Sequence, residues 1–358
     1  MSEFRVGITR DVLNSRGEPS FGRSALDLLE RAPDVAFEFL SDPVSEIEPL
    51  HLATYDALYV NVPRVTTRSF SEGSSRTRII ARHGVGYDSV DVPACTANDV
   101  MLTIQPDGVR RPVAVVAVTY VLALAQKLLI KDRLTRNGGW GQKLDHMGLG
   151  VTGRTLGLVG AGNIGREIMR LIRPFEMNLI AADPYVDLAS VSSLGAKLVD
   201  LATLMRQSDF VVVICQLTQE TRHLIGRREI AMMKPGAYLI NVARGPIVDE
   251  AALIAALREG RIAGAGLDVF EAEPVDSANP LLTMDNVIVT PHGLCWTDEC
   301  FGGLAESGFR GILESFAGRE PRHVVNREVL DRPRLTEWMR GNARRTSPET
   351  SGIRPRSA

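Results

Sequence analysis

The chain has 358 residues, and this length predicts about two domains. Hydrophobic residues make up 44% of the sequence and charged residues 23%, which is typical of a folded globular protein and excludes global disorder. The formal net charge of −2 argues against a general binder of polyanions such as nucleic acids. Four cysteines, Cys95, Cys215, Cys295 and Cys300, show no C-x-x-C spacing, so neither a disulfide framework nor a metal site is indicated.

The amino-terminal residues MSEFRVGITRD carry charge from the third position and contain no apolar core of a signal peptide. The longest apolar run, residues 113–125, falls short of the roughly 18–20 residues that a membrane span needs. We therefore interpret this run as a buried helix and expect a cytoplasmic protein with no membrane partner.

In chain order, short apolar runs predict strands at residues 4–9, 35–40, 57–60 and 78–82, with a helix at 22–31. Residues 112–136 predict one long helix with Pro112 in its first turn, followed by a glycine-rich loop at 137–150. From residue 155 onward, purely apolar strands are predicted at 156–159, 179–182, 210–215, 237–242, 263–269 and 287–290. Amphipathic helices such as 250–258 lie between them, and this alternation predicts an α/β fold with a parallel sheet covered on both faces.

The carboxy-terminal segment, residues 331–358, differs in composition from the rest. It holds seven arginines against three acidic residues and few apolar side chains. Such a segment buries too little surface to offset its ordering entropy, so we expect a solvated basic tail. Trp338 and Met339 are the exceptions that could dock on the folded part.

The clearest local motif is a dinucleotide-binding fingerprint. Gly160, Gly162 and Gly165 form G-x-G-x-x-G after an apolar strand and before an amphipathic helix. The first glycine permits a tight turn, the second lets the backbone approach a pyrophosphate, and the third allows close packing of helix and strand. Asp183 ends the next strand, 18 residues after Gly165, and its carboxylate can bind the ribose hydroxyls. That charge repels a 2′-phosphate, so the sequence favours NAD over NADP. Arg166, a nearby positive charge, is the one feature that favours NADP.

Three further residues follow strand ends and suggest a reaction. Arg244 follows strand 237–242, Glu273 follows 263–269, and His292 follows 287–290. Because ligands bind at the carboxyl edge of an open α/β sheet, these three side chains are expected to converge. The histidines at 51, 83, 146, 223 and 323 have no such joint placement and are interpreted as ordinary turn residues.

This trio suits hydride transfer at a 2-hydroxy acid. An imidazole titrates near working pH, so His292 can take the hydroxyl proton. Glu273 can bond the other ring nitrogen and fix the tautomer. Arg244 can grip the substrate carboxylate through its planar fork, while the cofactor carries the hydride.

At these residues the chain resembles the D-isomer-specific 2-hydroxyacid dehydrogenases, the family that includes phosphoglycerate dehydrogenase and the glyoxylate/hydroxypyruvate reductases. The motifs in order are GRTLGLVGAGNIGREI, MKPGAYLINVARGPIVDE, GLDVFEAEP and VTPH. The resemblance runs from about residue 82 to 297. Four motifs in sequence are far more specific than one glycine fingerprint.

The resemblance implies a Rossmann NAD-binding domain at residues 106–291. It also implies a discontinuous, flavodoxin-like α/β substrate domain at 1–105 and 292–330. Arg244, Glu273 and His292 would be the catalytic set, and a homodimer would be the assembly. The partner molecule would be a small 2-hydroxy or 2-keto acid.

Family members also imply roles for other positions. Cofactor contacts would come from Asn163 and Ile164 at the pyrophosphate, and from Val242, Ala243, Arg244, Asp268 and His292 at the nicotinamide. The substrate carboxylate would sit on the loop RHGVGYDSVD through Gly84, Val85 and Gly86.

The sequence departs from the family pattern in three places. The helix after the substrate loop has PVAVVAV instead of a V-A-E-H-like run, and Gln216 stands where proline is usual. The turn after His292 reads GLCWTDE, so we expect Trp296 to reshape the substrate pocket or to pack at the hinge. These changes leave the substrate itself open.

Two alternatives remain at this point. One is an NAD(H)-sensing binding protein on the same fold, like the transcriptional corepressors of this family. The other is a formate- or phosphite-type dehydrogenase. The formate type has glutamine where Glu273 stands, so the sequence argues against it, whereas the phosphite type is not excluded.

Overall fold

The computed structural model describes residues 3–71 and 75–346, and the chain divides into two compact units. Unit 1 is Met1–Val109 with Thr297–Ala358, and unit 2 is Arg110–Trp296. The sequence-based boundaries at 105/106 and 291/292 differ from this division by a few residues at each crossover. The difference at the first crossover arises because one continuous helix runs through it.

The strands are β1 Phe4–Ile8, β2 Val35–Phe39, β3 Ala57–Val60, β4 Ile79–Arg82, β5 Met101–Thr103, β6 Thr155–Val159, β7 Asn178–Ala182, β8 Ala196–Leu198, β9 Phe210–Val213, β10 Tyr238–Asn241, β11 Gly264–Leu267 and β12 Val287–Val289.

The helices are α1 Arg23–Glu30, α2 Pro49–Thr54, α3 Val92–Ala97, α4 Pro106–Ala125, α5 Leu128–Arg136, α6 Asn163–Ile172, α7 Leu188–Ser192, α8 Leu201–Gln207, α9 Arg227–Met232, α10 Glu250–Arg258, α11 Asp298–Phe316 and α12 Pro333–Thr346.

Unit 1 contains a five-stranded parallel sheet in the order β2-β1-β3-β4-β5. This is the flavodoxin-like order, in which the order of the strands along the sheet reverses between β1 and β3. One core, which includes Val6, Met101 and Phe309, packs α11 on one face, and a second core around Leu58 and Leu102 covers the other. The predicted flavodoxin-like α/β unit is confirmed.

Unit 2 contains a seven-stranded parallel sheet in the order β12-β11-β10-β9-β6-β7-β8. Read from β6, this is the doubly wound Rossmann order with one added strand. The order of the strands reverses between β6 and β9. Along β9 the side chains alternate between two cores, with Phe210 and Val212 in one and Val211 and Val213 in the other. Both faces are buried, which explains why the strands read as purely apolar runs.

The predicted long helix at 112–136 is wrong in its bounds. The structure has two helices, and Pro112 lies inside α4 instead of in its first turn. Pro106 occupies the first position of α4, so the preference for proline at a helix start holds, but for a different proline. Lys127, with φ of 51°, separates α4 from α5.

The expected solvated tail is also wrong for residues 333–346, which form α12. Leu335 is fully buried, and Trp338 and Met339 pack against the core that contains Phe4 and Phe316. Apolar side chains spaced three to four residues apart on one helical face supply the burial that the composition alone does not indicate. Residues 347–358 of that predicted tail lie outside the described part of the chain.

By length and composition, α4 is one helix that could cross a membrane. Ala114, Ala117, Tyr120, Val121 and Leu124 on this helix are buried in a core of unit 2. This packing is that of a core helix, in line with the interpretation from the sequence.

Candidate active site

The glycine fingerprint forms the turn between β6 and α6. Gly160 has φ of 105°, and a Cβ there would lie 2.8 Å from the backbone nitrogen of Cys215. A Cβ on Gly165 would lie 2.6 Å from the Gly160 carbonyl oxygen, so helix and strand pack too closely for a larger residue. A Cβ on Gly162 would meet open space, and Gly162 caps the amino terminus of α6. The turn therefore presents free backbone at a helix terminus, where anions bind.

A cavity of about 1220 Å³ lies in unit 2 beside this turn. Its wall includes the ends of β6 and β9, the two neighbouring strands between which the strand order reverses. Of the predicted cofactor residues, Gly160, Gly162 and Asp183 line this cavity. Asn163, Ile164, Gly165, Val242, Ala243, Arg244, Asp268 and His292 are not part of its wall. Sequence reasoning missed other lining residues, among them Tyr185, Leu198, Cys215 and Glu220.

Asp183 stands at the end of β7 on the cavity wall. Its Oδ2 accepts a hydrogen bond from the Ala161 nitrogen at 2.8 Å, and its Oδ1 accepts one from the Tyr185 nitrogen at 2.9 Å. These two bonds fix the carboxylate, and each oxygen keeps a lone pair for a further donor. A ribose diol could supply those donors, whereas a phosphate would meet a like charge.

These features fit NAD. The open space beside the Gly162 backbone suits a pyrophosphate, and the fixed Asp183 carboxylate suits a ribose. The cavity is large enough for a nucleoside. Within residues 3–71 and 75–346, no group of three or more His, Cys, Asp or Glu side chains could hold a metal ion.

His292 and Glu273 form the central pair of the candidate active site. His292 Nδ1 lies 2.7 Å from Glu273 Oε2, and the other carboxylate oxygen accepts the Phe270 N–H at 2.9 Å. Because the carboxylate is acceptor-only when ionised, the Nδ1 position carries the proton and Nε2 is the free acceptor of the neutral ring. The His292 side chain is 43% exposed, so it is accessible to a substrate.

The charge state of Glu273 follows from its surroundings. Burial alone would raise its pKa, but the hydrogen bonds from His292 and the Phe270 N–H oppose burial, and the nearby charges of His292 and Arg244 add to them. The net result is a pKa of Glu273 below its usual value. The carboxylate is therefore ionised at neutral pH and can stabilise a positive charge on His292.

Arg244 is held by the turn after β10. Asn241 donates from Nδ2 to the Arg244 carbonyl at 2.9 Å and accepts the Ala243 N–H through Oδ1 at 3.1 Å. Gly245 follows with no room for a Cβ, because the Phe270 carbonyl packs directly against it. This contact joins the turns after β10 and β11 and places the Arg244 charge within reach of Glu273.

The segment after His292 is tied to the sheet by Asp268. Its Oδ1 accepts the Gly293 and Leu294 N–H groups at 3.1 and 3.2 Å, and the Thr290 hydroxyl at 2.5 Å. Thr290 Oγ1 also lies 2.5 Å from the Tyr120 hydroxyl of α4. This chain of bonds fixes the backbone on both sides of His292.

The structure thus brings Arg244, Glu273, His292 and Asp268 to one edge of the unit 2 sheet. Trp296 is in unit 2 as well, half exposed, with its ring 3.4 Å from where a Gly293 Cβ would be. Gly84, Val85 and Gly86 belong to unit 1, where Gly84 has φ of 133° and its carbonyl accepts the Gln105 N–H at 2.9 Å.

Sequence analysis did not single out three residues that lie near the predicted site residues. Asn241 is inside the quoted motif NVARGP, so its side-chain role was detectable in principle. Tyr120 lies in an apolar helix with no local signal. His83 was interpreted as a turn residue, but it is buried and hydrogen-bonded to Tyr59, and burial together with the charge of Arg82 lowers its pKa to about 3.

Known proteins match this chain over most of its length. The family model for the NAD binding domain of D-isomer specific 2-hydroxyacid dehydrogenases matches residues 118–293. A glyoxylate reductase of Thermococcus onnurineus is 36% identical over 316 residues, which cover 86% of this chain and 91% of that protein. A D-3-phosphoglycerate dehydrogenase of Methanocaldococcus jannaschii is 37% identical over 281 residues, 78% of this chain and 53% of that protein.

Among solved structures, a glyoxylate reductase from Paecilomyes thermophila superposes with a TM-score of 0.77. It is 27% identical and covers 92% of this chain and 100% of its own.

The fold, the nucleotide cavity and these matches together define an NAD-dependent oxidoreductase of small 2-hydroxy and 2-keto acids. The chain belongs to the D-isomer specific 2-hydroxyacid dehydrogenase family.

Proposed function

We propose that His292 is the acid–base residue of an NAD(H)-linked interconversion of a D-2-hydroxy acid and its 2-keto acid. The observation that carries this proposal is the 2.7 Å bond between His292 and the ionised Glu273. The bond leaves Nε2 to receive the hydroxyl proton when the hydroxy acid is oxidised. In the reverse direction the imidazolium returns that proton to the keto oxygen.

Arg244 orients the substrate. Its guanidinium forms two parallel bonds to the carboxylate and the neighbouring oxygen, which directs the reacting carbon. The Asn241 bonds hold the backbone of the turn, and Arg244 Nη1 donates to the Ala243 carbonyl at 2.8 Å. When bound, NAD would supply the hydride acceptor for the carbon that Arg244 orients.

The cofactor contacts follow from the turn geometry. We propose that Gly162, Asn163 and Ile164 hold the pyrophosphate through backbone N–H groups, and that Val242, Ala243 and Asp268 line the nicotinamide site. Asp183 binds the adenosine ribose and disfavours NADP. The Asp183→Ala variant should therefore lose NAD affinity and narrow the NAD-to-NADP preference, and an unchanged preference would refute this assignment.

The substrate contacts on unit 1 are assigned to Gly84, Val85 and Gly86, whose N–H groups would hold the substrate carboxylate. Trp296 limits the space beside His292. Because the sequence near Trp296 and in α4 departs from the family pattern, the acid itself must be found by screening.

The direct test combines a substrate screen with two histidine variants. NADH oxidation is measured on glyoxylate, hydroxypyruvate, pyruvate and bulkier sugar-derived keto acids. On the best substrate, His292→Ala should lower turnover by about 10²–10⁴-fold, with NADH binding kept. His223→Ala is the matched control, because His223 also bonds a glutamate, Glu271 at 2.6 Å, and is similarly exposed. Turnover that survives in His292→Ala would remove this residue from the mechanism.

A second candidate is an NAD(H)-sensing binding protein on this fold, similar to corepressors. The unusual α4 sequence favours it. This alternative predicts NAD(H)-dependent capture of a protein partner and negligible turnover on every acid of the panel.

We also propose a cytoplasmic homodimer that binds neither nucleic acid nor membrane. None of the four cysteines, which all lie in the described part of the chain, forms a disulfide, in keeping with a reducing compartment. Several large apolar side chains between residues 115 and 147 are exposed, which supports a partner subunit at that surface.

A further inference from the structure

Arg166 is held at the amino-terminal end of α6 by a side-chain bond. It is the fourth residue of the helix, three positions after Asn163, which begins it. Residues three apart lie on one face of a helix, and helical side chains lean toward the amino terminus. Arg166 follows this rule, because its Nη2 donates to Asn163 Oδ1 at 2.8 Å. The guanidinium therefore lies at the end of α6 that Gly162 caps.

This arginine differs from its neighbours in the group that holds it. Glu167 is buried and accepts bonds from Arg111 at Oε1 and from Arg170 at Oε2, both at 3.1 Å. Among residues 3–71 and 75–346, the Arg166 side chain has the Asn163 bond alone and forms no ion pair. A neutral amide thus positions the Arg166 guanidinium, whereas a carboxylate binds the other two.

The end of α6 at which Arg166 is held is also the place where an anion is expected. The first N–H groups of a helix have no partners within it, and the helix dipole adds a partial positive charge there. A Cβ on Gly162 would meet open space, so this backbone can be approached closely. The NAD that this family of domains binds carries two negative charges on its pyrophosphate. A guanidinium next to such a group can give two parallel bonds to its oxygens.

We propose that Arg166 binds the cofactor pyrophosphate through its guanidinium, and that the Asn163 side chain positions it. This inference rests on the proposed pyrophosphate site at the backbone of residues 162–164 and adds a charged side chain to it. From the sequence alone, Arg166 is the feature that favours NADP. At the end of α6 it instead serves NAD and NADP equally, and the choice between them depends on Asp183.

The test is calorimetric titration of the full chain with two fragments of the cofactor. ADP-ribose contains the pyrophosphate, whereas adenosine contains no phosphate. Arg166→Ala should weaken ADP-ribose binding about tenfold or more, the range of a hydrogen bond to a charged group, and should change adenosine binding by less than about twofold. Arg170→Ala is the matched control, because it removes the same charge one turn further along α6 from a side chain that is bonded to Glu167. This control should bind ADP-ribose as the wild type does.

The positioning role of Asn163 is tested by a double-variant cycle. Asn163→Ala keeps the Arg166 charge but removes its anchor, so ADP-ribose binding should weaken about threefold, as for one neutral hydrogen bond. In the Arg166→Ala background the same substitution should have no further effect, since the amide then positions nothing. An Asn163→Ala loss of the same size in both backgrounds would contradict this role.

NADH and NADPH distinguish the pyrophosphate from the 2′-phosphate as the group that Arg166 meets. Both cofactors contain the pyrophosphate, so Arg166→Ala should weaken their binding by the same factor. A loss confined to NADPH would place Arg166 at the 2′-phosphate and overturn the proposal.

Three further results would overturn the assignment of Arg166. They are unchanged ADP-ribose binding in Arg166→Ala, an equal loss of adenosine binding in that variant, and an equal loss of ADP-ribose binding in Arg170→Ala. None of them bears on the acid–base role of His292. A wild-type chain that binds neither ADP-ribose nor NADH would instead refute the pyrophosphate site itself, so the two failures are distinguishable.

Discussion

At the scale of single residues, His292 has an unusual backbone. Its φ is 50°, in the left-handed region that residues other than glycine rarely adopt. Such a residue costs about 1–3 kcal/mol and persists only where its surroundings hold it. Asp268 supplies that restraint through the N–H groups of Gly293 and Leu294. The imidazole direction is thus set by the backbone as well as by Glu273.

The sequence placed His292 correctly after a strand end because parallel strands share one edge, and this rule requires no tertiary detail. It could not indicate Tyr120, which is about 170 residues away in sequence from Thr290 and lies in a helix of apolar residues. Gly266 allows the approach, since a Cβ there would lie 2.5 Å from the Tyr120 ring. Long-range pairs of this kind have no local pattern.

Tyr120→Phe keeps the aromatic ring but removes the hydroxyl that bonds Thr290. It should therefore loosen the hydrogen bonds that fix the backbone around His292. We expect a loss of about 1 kcal/mol in unfolding free energy, as for one hydrogen bond, and a lower kcat with unchanged KM for NADH. The altered pH profile of kcat would distinguish misplacement of His292 from a general loss of stability. Tyr238→Phe, at a buried tyrosine stacked on Phe210, is the control. Equal effects of both variants on kcat would contradict the role of Tyr120.

His83 makes a pH-dependent contribution to stability. Burial lowers its pKa to about 3, with the charge of Arg82 acting in the same direction. In the unfolded chain an imidazole titrates near 6.5. Between these values the unfolded chain binds a proton that the folded chain does not, so stability falls as the pH falls.

On going from pH 7 to pH 5, this one group should cost the folded state about 2 kcal/mol. The His83→Gln variant lacks the group, so it should lose that much less stability than the wild type over the same interval. Urea unfolding at both pH values measures the difference, with His146→Gln as the control outside this core. Parallel losses in wild type and His83→Gln would show that His83 does not drive the effect.

At the scale of elements, each of the ten predicted strands overlaps an observed strand. The sequence missed β5 and β8, which are three residues long at sheet edges and take their definition from neighbouring strands. It also missed α12, because composition averaged over 331–358 hides the apolar face of residues 333–346. Local periodicity is the better guide there.

The packing of α12 can be tested at Leu335, which is fully buried against the unit 1 core. Leu335→Ala should lower the unfolding free energy by about 2–5 kcal/mol, since it leaves a cavity under the helix. Glu337→Ala, at an exposed position of the same helix, should change it by less than about 0.5 kcal/mol. Denaturant unfolding followed by tryptophan fluorescence suits the measurement, because Trp338 lies on this helix. A small effect of Leu335→Ala would mean that α12 is not docked in solution.

At the scale of the whole molecule, the predicted site is divided between the units. Arg244, Glu273 and His292 lie in unit 2, and Gly84–Gly86 lie in unit 1. The sequence could assign residues to each sheet edge, because alternating strands and helices predict a parallel sheet, and all strands of a parallel sheet end at the same edge. It could not indicate the cavity of about 440 Å³ between β5 and α11 in unit 1, since the distance between these two elements depends on side-chain packing within the folded unit.

Unit 2 also has six exposed large apolar side chains between residues 115 and 147, namely Val115, Leu128, Leu129, Trp140, Leu144 and Met147. All six are large hydrophobic side chains that are exposed in the single chain. Isolated exposed apolar residues are common, but several within 33 consecutive positions support the proposal that a partner covers them. A second copy of the chain is the partner that we propose.

The double substitution Trp140→Glu with Leu144→Glu should convert a dimer to a monomer, because four buried charges would be introduced into one symmetric interface. Trp140 and Leu144 are 68% and 74% exposed, so the folded monomer tolerates the charges. Sedimentation velocity of the wild type and the variant measures the mass directly. Leu188→Glu, at a leucine of unit 2 that is 60% exposed, is the control and should remain dimeric. A monomeric wild type, or a double variant that stays dimeric, would rule out this surface as the subunit contact.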